Sequence, residues 1–107
     1  MNWYAVRTIY LFGVKADGTN VFEERIVGFS AGSSADALSK AALESATYAA
    51  RNGFIAHGEQ VSYQQDGAPL VDGYELWSEL FEARGTLDEF YSQRYGKFLY
   101  EAELPDG

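Results

Sequence analysis

The chain has 107 residues, 47% of them hydrophobic, with sixteen acids against eight bases and no cysteine. That length and apolar fraction fit one packed domain over residues 1–107, and the missing thiols exclude disulfide frameworks, thiolate nucleophiles and thiolate zinc sites. A formal net charge of −8 opposes phosphate-tracking surfaces, so neither nucleic acid nor an anionic membrane is an expected partner, whereas a cationic protein is.

The first element is "WYAVRTIYLF", residues 3–12, rich in the aromatic and β-branched side chains that suit a pleated surface. Alternation places Tyr4, Val6, Thr8, Tyr10 and Phe12 on one face and Trp3, Ala5, Arg7, Ile9 and Leu11 on the other. Both faces are largely apolar, which predicts a central strand covered on each side. The run is short and interrupted by Arg7, so it matches neither a secretory leader nor a spanning helix, and a cytoplasmic location is expected.

The break "KADGTN" carries the turn pair Asp17-Gly18, and "VFEERIVGFSA" comes next as a second strand, giving a β-hairpin. Within it Glu23 and Arg25 share one face while Glu24 points to the other with Phe22 and Ile26. Adjacent carboxylates that diverge in this way cannot cooperate as an acid and base pair. A cross-strand pair with Arg7 is the structural role open to Glu23 or Glu24, worth roughly 0.2–1 kcal/mol.

"GSSADALSKAALESATYAARNG" predicts a helix capped by Ser33 or Ser34, with Asp36 in the first turn and Gly53 as the stop. Leu38, Ala41, Ala42, Ser45, Tyr48 and Ala49 recur at helical spacing. The largely alanine buried side predicts close approach to a sheet. "EQVSYQQDGAPLVDG" then reads as a third strand and a turn at Asp66-Gly67, with Pro69 placing the chain after that turn at an edge or in a loop.

The segment "DGYELWSELFEARGTLDEFYSQRYGKF" supports two readings. As a helix, Asp72 caps it, Glu75 completes a capping box, and Leu76, Trp77, Leu80 and Phe81 form one face. As a strand, Glu75, Trp77, Glu79 and Phe81 point outward as a stripe of acids and aromatics. After Gly85, Thr86 and Glu89 form a second capping box, and Leu87, Phe90, Tyr91 and Arg94 predict a helix that ends at Gly96. "FLYEAEL" can add a short strand.

Taken together, "NWYAVRTIYLF", "VFEERIVGFSAGSSADALSKA", "DGYELWSEL" and "GTLDEFY" resemble a small bacterial family known only as a domain of unknown function. Its members have a WYAV-type first strand, an EER-type second strand and an alanine-rich helix. The resemblance implies that "GYELWSEL" is a strand. Because related small acidic proteins often lie among contact-dependent toxin and immunity genes, it also implies an immunity-like role. It supplies no catalytic residue or ligand.

The chemistry of the remaining residues is thin. His57 is the lone histidine, and no nucleophile motif adjoins it. "GFSAG" mimics a nucleophile elbow at Ser30, but that fold needs a far larger parallel sheet. A minimal hydrolase using Ser30 and His57 is therefore the alternative reading. Asp66, Asp72 and Glu75 lack the spacing of a calcium loop, so no metal or other cofactor is expected.

Residues 59–107 hold eleven acids and three bases, whereas residues 1–58 hold five of each. The expected fold is α+β, an antiparallel sheet in β-β-α-β-β-α order with helices packed on one face. The expected role is a non-enzymatic immunity-type or inhibitor module that occludes a cationic partner such as a toxin nuclease. Its binding surface is expected at Glu75, Trp77, Glu79, Phe81, Glu82, Asp88 and Glu89, where aromatic anchors meet a charged rim. A homodimer formed through exposed edge strands is a further possibility.

Overall fold

The computed structural model describes residues 1–65, 72, 73, 75–78, 80–96 and 100. The alternating first segment is β1 (Asn2–Val14), and the second is β2 (Asn20–Ala31). They are followed by α1 (Ser34–Asn52), the two-residue β3 (Ile55–Ala56) and β4 (Val61–Gln64). Last comes α2 (Leu87–Tyr91), which runs into a π-helical turn over Ser92–Gly96. The class is α+β with an antiparallel sheet: β1 pairs with β2 along one edge and with β3 and β4 along the other.

The hairpin turn closes by local chemistry. Gly18 donates its N–H to the Lys15 carbonyl at 2.9 Å, and the Asp17 carboxylate accepts from the Thr19 N–H at 2.9 Å. Those side-chain and backbone bonds from Thr19 hold the Asp17 pKa below its ordinary value. One irregularity interrupts the ladder: the register shifts between Leu11 and Gly13, a β-bulge at Phe12.

Alternation along β1 works as its sequence predicts. Tyr4, Val6, Thr8 and Tyr10 are buried on the face that α1 covers. The core joins Tyr4, Val6 and Ala31 to Ala37 and Ala41, with Phe29 and Leu38 against it. The buried row of α1 is Ala37, Ala41, Ser45 and Ala49, one residue every four, which brings the helix close to the strands. Ala42, expected in that row, is exposed instead. Buried Thr8 and Ser45 are joined by Gln60, whose Nε2 donates to Thr8 Oγ1 at 2.8 Å and to Ser45 Oγ at 3.4 Å.

Both ends of α1 are finished by the predicted residues. Ser33 is extended and its hydroxyl accepts from the Asp36 N–H at 3.1 Å. Ser34 shares a 2.7 Å hydrogen bond with Ser62 of β4 instead. Gly53 ends the helix at φ +74°, a left-handed conformation natural to glycine. Replacing Ser33 with alanine should cost about 1 kcal/mol in urea denaturation, and Ser34→Ala, which leaves the cap intact, should cost measurably less.

Two expectations fail in the C-terminal half. Residues 75–78 and 80–83 form neither strand nor helix, so the strand expected over 74–82 is absent from the described residues of that stretch. Trp77 packs by its side chain on Tyr63 of β4 and on Arg7 of β1 instead. The helices do not share a face either. α1 covers one side, whereas Arg94 of the π-helical turn reaches Glu24 on the other at 3.6 Å. Tyr74, Glu79, the Asp66-Gly67 turn, Pro69 and all of "FLYEAEL" except Tyr100 lie outside the described residues.

Candidate functional site

The face of the sheet away from α1 carries Trp3, Ala5, Arg7, Ile9 and Leu11 from β1 and Phe22, Glu24, Ile26, Gly28 and Ser30 from β2, in register. The segment from Glu75 to Gly96 attaches to this face through side chains. Trp77 lies against Tyr63 of β4 with ring centroids 5.7 Å apart, and the Arg7 guanidinium sits 5.6 Å from the centre of the indole. Arg7 also pairs with Glu24 at 3.5 Å, the cross-strand contact anticipated from sequence. Gln65 adds a bond from its side-chain amide to the Leu76 carbonyl at 3.2 Å.

Glu24 joins the two ends of the described chain. It accepts both Arg7 and Arg94, and Arg94 in turn lies 4.8 Å from the centre of the Phe81 ring. Phe81 packs on Phe90 of α2 at 5.6 Å between centroids. Cation–π and aromatic contacts of this kind contribute roughly 0.5–1.5 kcal/mol each where water is partly excluded. α2 starts as predicted, with Thr86 Oγ1 accepting from the Glu89 N–H at 3.2 Å. Gly85 just before it has φ +114°, a backbone conformation that glycine adopts without strain and a residue with a Cβ does not.

Trp77 thus anchors its segment to the sheet, while Phe81 packs within the segment on Phe90 and Arg94. Trp77 is half-buried, while Phe81 keeps part of its ring in solvent. On the same segment Glu75, Glu82, Asp88 and Glu89 are exposed, and none is ion-paired among the described residues. Glu79 lies outside the described residues. The basic groups nearby are turned inward: Arg7 and Arg94 both face Glu24. Beside these four exposed carboxylates the described residues of the segment hold one exposed cation, Arg84.

A second charged cluster lies on the α1 side, and sequence reasoning missed it. Arg25 pairs with Glu44, and its guanidinium stacks 3.7 Å from the centre of the Tyr48 ring. Tyr48 donates its hydroxyl to Glu23 Oε1 at 2.7 Å. That bond and partial desolvation raise the Tyr48 pKa above the ordinary phenol value. Burial opposes the charge on Arg25, but the bonds to Glu44 and the Tyr10 hydroxyl outweigh it and raise its pKa. The only hint in the sequence was the i, i+4 spacing of Glu44 and Tyr48 on one helical row. Beside the cluster is an open depression of about 490 Å³ lined by Arg25, Leu43, Glu44, Thr47, Tyr48 and Arg51.

The hydrolase alternative is not assembled. Ser30 pairs opposite Trp3, whereas the His57 N–H bonds to the Ile9 carbonyl on the other edge of β1. Six positions along a strand separate Trp3 from Ile9, about 20 Å, so Ser30 and His57 cannot meet. The His57 ring instead accepts from the Glu59 N–H through Nδ1 at 3.1 Å. Among the described residues no group of three or more histidine or acidic side chains is placed to hold a metal ion, and no helix is long and apolar enough to cross a membrane. No family model, curated protein or solved structure matches the chain.

Proposed function

We propose that the chain is a small acidic protein-binding module of the immunity or inhibitor type, working in the cytoplasm by occluding a basic site on a cationic protein such as a toxin nuclease. The observation that carries this reading is the placement of Glu75, Glu82, Asp88 and Glu89. They are exposed, without ion pairs among the described residues, and gathered on one segment held by Trp77. Exposed carboxylates concentrated on one segment draw in positive charge and select against negative charge.

The test reverses charge without touching the anchors. A Glu75→Lys, Glu82→Lys double variant should bind the partner recovered from native lysate with an association rate lower by about tenfold or more at low salt. The difference should shrink as salt screens the charges. An association rate and salt slope equal to those of the parent protein would remove this function.

A further inference from the structure

The sequence "VFEERIV", residues 21–27, is close to a palindrome centred on Glu24, and it lies on β2, whose outer edge pairs with no strand among the described residues. An edge strand of twelve residues without proline or lysine is a ready template for another strand. We propose that this edge binds the same edge of a second copy, antiparallel, with Glu24 facing Glu24 across a two-fold axis. The inference is independent of the acidic-surface reading.

Two-fold symmetry restricts the choice. An antiparallel pair of identical strands must place one residue opposite itself, so that each pair shares a face. Centring on Glu24 sets Glu23 opposite Arg25, Phe22 opposite Ile26 and Val21 opposite Val27, each pair occurring twice. Opposite charges meet and apolar residues meet. Centring on Glu23 would oppose Phe22 to Glu24 and Val21 to Arg25. Centring on Arg25 would oppose two guanidinia and set Glu24 against Ile26. Neither neighbouring register matches chemistry with chemistry.

The one like-charged pair in the favoured register is already compensated. Each Glu24 holds Arg7 at 3.5 Å and Arg94 at 3.6 Å within its own chain, so two carboxylates meet amid four guanidinia. The apolar pair gains cover that the single chain lacks, since Phe22 is 65% and Ile26 47% exposed. On the other face the exposed Leu43 flank of α1 and the depression beside it would look toward the same flank of the second copy.

A chain without cysteine allows a direct test by single-cysteine cross-linking. Glu24→Cys should oxidise to a covalent dimer, because residues opposed across an antiparallel pair lie about 4.5–5.5 Å apart at Cα, within disulfide reach. Phe22→Cys and Ile26→Cys should each fail alone, being about 14 Å from their own copies, yet should cross-link when mixed with each other. The parent protein should sediment at twice 11.9 kDa as concentration rises. Equal cross-linking of all three single variants would overturn the register. A parent protein that stays monomeric at every concentration, with no Glu24→Cys dimer, would overturn the association itself.

Discussion

Tyr10→Ala should destabilise the protein by about 3–5 kcal/mol in urea denaturation, the range for truncating a buried aromatic. Tyr10 is 1% exposed and is the largest of the fully buried side chains. Its ring meets Tyr48 edge-on at 5.1 Å, Tyr48 meets Phe54 at 5.7 Å, and Phe54 packs on Phe12 at 4.7 Å. Truncation would therefore open a cavity where the ladder joins β1 to α1, and a domain with about 5–15 kcal/mol in total loses a large share. The hydroxyl matters less. It accepts from Arg25 at 3.4 Å, a long bond, so Tyr10→Phe should cost no more than about 1 kcal/mol. Similar losses from both variants would show that the ladder is not what unites helix and sheet.

Ala37→Leu is the second large effect, and it acts in the opposite sense, by excess volume. Ala37 is 0% exposed and belongs to the cluster of Tyr4, Val6, Ala31 and Ala41. Three further carbons between helix and sheet force the two apart or drive side chains off their preferred rotamers, costing about 1–3 kcal/mol. Ala42→Leu, only five residues on but facing water, should change stability by less than about 0.5 kcal/mol. Equal denaturation midpoints for the two variants would contradict the close approach of α1 to the strands.

That contrast also marks how far the sequence could be read. The hairpin, its Asp17-Gly18 turn, the Ser33 cap and the Gly53 stop are local signals, each set by residues within a few positions of one another. The buried row of α1 is legible in its period but not in its phase: helical spacing alone admits Ala42 and omits Ala37, the reverse of their burial. Alanine is too small to distinguish a buried helical face from an exposed one.

The C-terminal half was less legible because its conformation depends on tertiary contacts. Residues 75–78 and 80–83 fit two periodicities on paper and adopt neither, because Trp77 is held by Tyr63 and Arg7, and Phe81 by Phe90 and Arg94. β3 is only two residues long and exists because β1 has a second edge beside it. Among the candidate binding residues, the acids could be named from composition. The inward use of Arg7 and Arg94, which leaves Glu75, Glu82, Asp88 and Glu89 without an ion pair among the described residues, depends on a fold that brings distant residues together.

β1 borders every other strand of the sheet, and this fixes an order of assembly during synthesis. Its partner β2 emerges after a short turn, so one margin of the strand is shielded almost at once. The other margin waits until the ribosome has added the whole of α1 and reached Gln64. Throughout that interval the nascent chain displays a bare apolar strand border to its surroundings, for a time set by how long translation takes to cross the helix.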